Sequence, residues 1–97
     1  MTKDIRYKAA GAAFRSGEIT TVREICLVVP LSTIAVDLGI NYGRIVKKLT
    51  GPGWLSMGEV IRFAQLLNVP ALDLCAAIML EREKERLRLL NFTSKEV

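Results

Sequence analysis

The sequence predicts an all-α domain, on three observations. Apolar residues recur at i, i+3, i+4 and i+7 in segment after segment, most cleanly at Val22, Ile25, Cys26 and Val29. Thr21 with Glu24, and Ser56 with Glu59, have the spacing of a capping box just ahead of such segments. No stretch alternates apolar and polar residues as a half-buried strand does. At 97 residues the chain is long enough for one domain, 1–97, of about six helices.

The first helix is expected over residues 3–16, closed by Gly17. It carries two apolar stripes on nearly opposite sides, Ile5, Ala9 and Ala12 against Tyr7, Ala10 and Phe14. A helix with two apolar sides is either wedged between elements or shared with a second subunit. Gly11 weakens it by about 1 kcal/mol relative to alanine. A short helix follows from Thr20 or Thr21 to near Val29. Pro30 cannot extend it but suits the first turn of the next helix.

The stretch 30–50 reads as two short helices meeting at a corner. The first, from Leu31 to about Leu38, has Ile34, Ala35 and Leu38 on one face. Gly39 supplies the positive φ that a helix stop against a second helix often requires. Ile40 turns back to the core, and Asn41 is a good N-cap for a helix from Tyr42 to Leu49. With Ile45 and Leu49 inward, the opposite direction belongs to Gly43, Arg44 and Lys47, flanked by Tyr42 and Val46 on one side and Lys48 on the other.

The segment from Thr50 to Trp54 is read as a loop, with Trp54 read as a core plug beneath it rather than a stacking platform. The helix begun by Ser56 runs to about Leu67, with Met57, Val60, Ile61, Ala64 and Leu67 inward. After the break at Asn68, Val69 and Pro70 a long final helix covers 71–90, and the tail 91–97 is expected to fray. The last helix is apolar almost all round in its first half, with Leu72, Cys75 and Met79 on one side and Leu74 and Ile78 on the other. Its second half is charged, with opposite charges three apart at Glu81 and Lys84, Glu83 and Arg86, and Glu85 and Arg88.

Composition narrows the function. The hydrophobic fraction of 51% predicts a packed core rather than disorder. A net charge of +4 permits an acidic partner without demanding one. The chain contains no histidine, and its cysteines, Cys26 and Cys75, lack metal-ligand spacing. A zinc site is therefore not expected, and no cofactor is implied. Both cysteines fall on apolar stripes and are expected buried and reduced, which points to the cytoplasm. The start, MTKDIRYK, is charged, and AAGAAF is too short for a signal-peptide core. No apolar run approaches the roughly 20 residues of a membrane span. Without a nucleophile–base pair or a phosphate-binding glycine loop, an enzyme is not expected.

The spacing Ala35, Gly39, Ile45 resembles the helix-turn-helix of the Cro/repressor-like (XRE-type, lambda repressor-like) DNA-binding family: a small residue, a corner glycine and a branched anchor in the second helix. The order continues through EVIRFAQLLNVPALDL, similar to that family's fourth and fifth helices, and the likeness to small bacterial proteins of Bacteroidetes type covers roughly residues 18–80. The resemblance implies a transcriptional regulator that places helix 42–49 in the major groove of double-stranded DNA. Arginine can reach both O6 and N7 of guanine there, so Arg44, Lys47 and Lys48 are the candidate contacts, with Gly43 at the exposed tip. Asn41, Tyr42 and Thr50 are candidate phosphate ligands near the helix ends; cap, core-edge ring and loop hydroxyl are their structural alternatives. Ser32 and Thr33 are either phosphate donors or plain surface.

The chain departs from the family pattern in three places. Its second anchor, Leu49, comes one residue late, with Lys48 at the usual position. Leu31 stands where a polar DNA contact is common, and Gly43 lies inside the short helix. A homodimer through the N-terminal and C-terminal helices is expected from their two-sided apolar surfaces. The alternative is a protein-interaction module, adaptor-like or antitoxin-like, that keeps the fold without DNA.

Overall fold

The computed structural model describes the backbone of residues 5–50 and 54–95 and the side chains of 5–49 and 54–88. Six helices follow one another: α1 (Ile5–Ser16), α2 (Val22–Val28), α3 (Leu31–Leu38), α4 (Tyr42–Thr50), α5 (Met57–Leu67) and α6 (Ala71–Lys95). There is no strand among the described residues. The all-α class expected from periodicity is the class observed.

Local chemistry places the helix boundaries. Thr21 Oγ1 accepts from the Glu24 amide, and Glu24 returns the bond by accepting from the Thr21 amide, so both halves of the capping box form. Ser56 and Glu59 repeat this at α5. Gly39 ends α3 at φ 69°, with its amide bonded to the Val36 carbonyl and the Ile40 amide to the Ala35 carbonyl. That paired closure is a Schellman motif. Asn68 closes α5 in the same way at φ 57°, its amide bonding Gln65 while that of Val69 bonds Ala64. Asparagine tolerates the left-handed region better than most residues.

The helices enclose a single apolar core. Tyr7 and Ala10 of α1, Ile25 of α2, Ile34 and Leu38 of α3, Ile45 of α4, Phe63 and Leu67 of α5, and Leu74 of α6 are all buried within it. No charged or polar residue is buried among those described. The buried Tyr7 donates its hydroxyl to Oδ2 of the exposed Asp37 at 2.7 Å and ties α1 to α3.

The fold decides the inward face of α1 and α6, which the sequence leaves open, and changes that of α5. On α1 the stripe of Tyr7 and Ala10 is buried, whereas Ile5, Ala9 and Ala12 face outward, so the helix has one core face and one free apolar face. On α5 Phe63 is the central core residue, while Met57 and Ile61 are exposed. The direction shared by Val60, Phe63, Ala64 and Leu67 leaves positions 57 and 61 on the flank. On α6 Leu74, Ala77 and Ile78 face the core and Leu72 and Met79 face away. The two cysteines are free thiols, half-buried rather than fully enclosed. The end expected for the last helix at Leu90 is also corrected: α6 runs on to Lys95 across the expected tail. Nothing between Leu80 and Lys95 is a glycine or proline, so no residue there forces a stop. No single described helix is long and apolar enough to cross a membrane.

Gly11 is where α1 crosses the end of α5. A Cβ built there would lie 1.8 Å from the Leu67 carbonyl oxygen, a backbone atom that cannot swing aside. Arg15, one turn further along, donates from Nη1 to the Asn68 carbonyl at 2.6 Å and covers the same helix end. Gly11→Ala therefore sets a propensity gain of about 1 kcal/mol against an overpacking cost of about 1–3 kcal/mol. Backbone contact makes the cost prevail, so the urea midpoint of Gly11→Ala is expected to fall relative to wild type.

Candidate nucleic-acid interface

The corner between α3 and α4 has the three features its sequence spacing implies. Ala35 is buried where the helices approach, Gly39 turns the chain in the left-handed conformation, and Ile45 is fully enclosed. Asn41 caps α4 by accepting from the Gly43 amide at 2.9 Å. This cap engages its side-chain oxygen and leaves the residue on the surface. With Ile45 anchored inward, Arg44 and Lys47 project from the exposed side, three residues apart and hence neighbours on one helix face. Tyr42 and Gly43 are exposed at the start of the same helix. On α3, Ser32 is exposed and Thr33 half-buried, both in its first turn. The Thr50 side chain lies outside the described residues.

Lys48 is placed differently from Arg44 and Lys47. Its ammonium pairs with Glu59 at 2.9 Å, with the lysine side chain 28% exposed and the glutamate 14%. Glu59 is also the capping-box residue of α5, so one carboxylate closes a helix start and holds the end of α4. Partly exposed pairs of this kind contribute about 1 kcal/mol or less. The pair neutralises Lys48 within the fold and leaves Arg44 and Lys47 as the outward charges of α4.

Sequence reasoning missed the group that finishes α4. Arg82 of α6 donates from Nη2 to the Lys48 carbonyl, and its guanidinium lies over the Trp54 ring, 4.1 Å from the centroid. A cation at a helix C-terminus complements the dipole, and an arginine stacked on indole gains a cation–π contact. Trp54 is accordingly not the core plug expected; it is 52% exposed, and neighbouring Leu55 fills the core. The residue before Arg82 acts in the opposite sense: Glu81 accepts from the Val22 amide at the start of α2. No spacing rule joins residues this far apart in the chain.

Among the described residues, no group of histidine, cysteine, aspartate or glutamate side chains is arranged to hold a metal ion. Searches against protein-family models, curated proteins and solved structures find no match to the chain.

Two carboxylates at this frame are held below their ordinary value. The Thr20 amide bond, followed by the Thr21 hydroxyl, lowers Glu24. The Ser56 amide lowers Glu59, with Lys48 adding to the effect and partial burial opposing it. A carboxylate lowered by folding contributes stability above its unfolded value, and the contribution is lost as pH falls through the folded value. Stability measured by urea unfolding is therefore expected to decline as pH drops below about 4.5, the ordinary value of both groups. Glu59→Gln, which keeps a capping acceptor without the charge, should flatten that decline.

Proposed function

We propose that this chain is a lambda repressor-like helix-turn-helix protein that binds double-stranded DNA as a dimer and regulates transcription from the cytoplasm, by binding rather than by catalysis. One observation carries the reading: a corner with Ala35 and Ile45 buried and Gly39 turning the chain holds a capped short helix whose outward face presents Arg44 and Lys47. A helix of this kind fits the major groove, and Arg44 at its exposed start has the fork geometry for guanine O6 and N7. Ser32 and Asn41 lie at the starts of α3 and α4, where helix ends commonly meet phosphates. Dimerisation is supported by the apolar surface left open on α1, at Ile5, and on α6, at Leu72 and Met79.

A protein-interaction role is the second reading, and a specific observation favours it. Val36 and Tyr42 are 78% and 55% exposed on the two helices of the corner, and Lys48 is withdrawn into its pair with Glu59. An apolar patch beside two cations also suits a protein partner.

Duplex affinity separates the two. DNA binding predicts that the logarithm of the association constant falls with the logarithm of salt concentration by about 0.9 per phosphate neutralised. Lys47→Ala should reduce that slope by about one. Arg44→Ala should cost about 1–3 kcal/mol at a selected site and relax its base preference. Selection from a random duplex pool followed by titration measures all three, and a chain that recovers no duplex at low salt supports the interaction module instead.

A further inference from the structure

α6 is longer than the fold needs. Its 25 residues span about 37 Å at 1.5 Å per residue, more than the 30 and 22 Å of the molecule's two shorter dimensions. Leu74, Ala77 and Ile78 dock it on the core, Glu81 and Arg82 bond to α2 and α4, and residues 83–88 are exposed. On the side away from the core, at about 100° per residue, lie Leu72, Ala76, Met79, Glu83 and Leu87, with Leu80 on the flank. Leu72 is 84% exposed and Met79, Leu80 and Leu87 about half exposed.

We propose that this face is covered by the same face of a second copy, the two α6 helices running antiparallel about a two-fold axis between Met79 and Leu80. In that register Leu72 comes level with the partner's Leu87 and Glu83 with the partner's Ala76, while Met79 on one flank and Leu80 on the other each lie beside their own counterpart at the axis. The order of residues is thus self-complementary, as a two-fold contact requires. Charge selects the antiparallel direction. A parallel pair sets the two Glu83 carboxylates face to face in the contact, where like charges repel. The antiparallel pair separates them, and because the same flanks then meet, Asp73 of each chain falls beside the partner's Lys84. This deepens the dimeric part of the proposed function, yet it is read without nucleic acid, so its failure and a failure of duplex binding are separate results.

Sedimentation equilibrium of the full chain without DNA, at micromolar concentration, should show a dimer. Leu72→Lys alters a side chain that touches little in the single chain, so its circular dichroism and melting should match wild type. Its dissociation constant should rise about a hundredfold or more, since the buried leucine is lost twice per dimer. A monomeric wild type, or a folded Leu72→Lys chain that dimerises unchanged, overturns the proposal. Direction is tested in a folded Cys26→Ala, Cys75→Ala background. Oxidising a mixture of Ala76→Cys and Glu83→Cys chains should give mainly the mixed disulfide, whereas predominant self-linking of each overturns the antiparallel register.

Discussion

The ends of short helices are the constraint on which this structure depends. Each helix leaves amides at its start and carbonyls at its finish that no intrahelical bond satisfies. Six helices in so small a domain multiply those ends and bring them close to an apolar core. Two solutions are used. Within the chain's immediate neighbourhood, the Thr21–Glu24 and Ser56–Glu59 boxes satisfy helix starts, and left-handed residues at Gly39 and Asn68 satisfy helix finishes. Across the fold, charged side chains reach distant ends: Glu81 the start of α2, Arg82 the finish of α4, and Arg15 the finish of α5. In each case the sign of the charge matches the helix dipole.

These long-range caps give α6 a second role besides closing the core. Adjacent residues Glu81 and Arg82 bind α2 and α4 from one point on α6, and Arg82 also stacks on Trp54 in the segment joining α4 to α5. The outward-facing helix α4 is thereby held at both ends, by Asn41 at its start and by Arg82 with the Lys48–Glu59 pair at its finish. Rigid placement of a contact helix matters more than its intrinsic stability, which Gly43 lowers. If α6 pairs with a second copy, the element that joins the two chains is the one that also braces α4.

Much of the candidate site was legible because its determinants are local. Asn41 as cap, Gly39 as corner, Ile45 as anchor, and Arg44 and Lys47 as outward charges all follow from residue type and helical spacing within 20 residues. The pairing of Lys48 and the exposed position of Trp54 were not legible, for the opposite reason. Their surroundings are made by Glu59 and Arg82, which arrive from other helices. Gly11 illustrates the same boundary. As part of a helix it is only a weak point, whereas in the fold it lies against the Leu67 carbonyl, which leaves no room for a Cβ.

By itself the sequence determined the helical class, the order of the helices, nearly all their boundaries and the residues that turn the α3–α4 corner, because caps, breaks and 3.6-residue periodicity act between neighbours in the chain. Tertiary structure alone decided which apolar face of a two-faced helix is used. Tyr7 rather than Ile5, and Leu74 rather than Leu72, went inward, because a helix with two apolar sides can be assigned only by what packs against it. It decided as well that Lys48 is neutralised while Arg44 and Lys47 remain free to meet solvent or a polyanion, since charge pairing depends on distance in space and not on position in the chain.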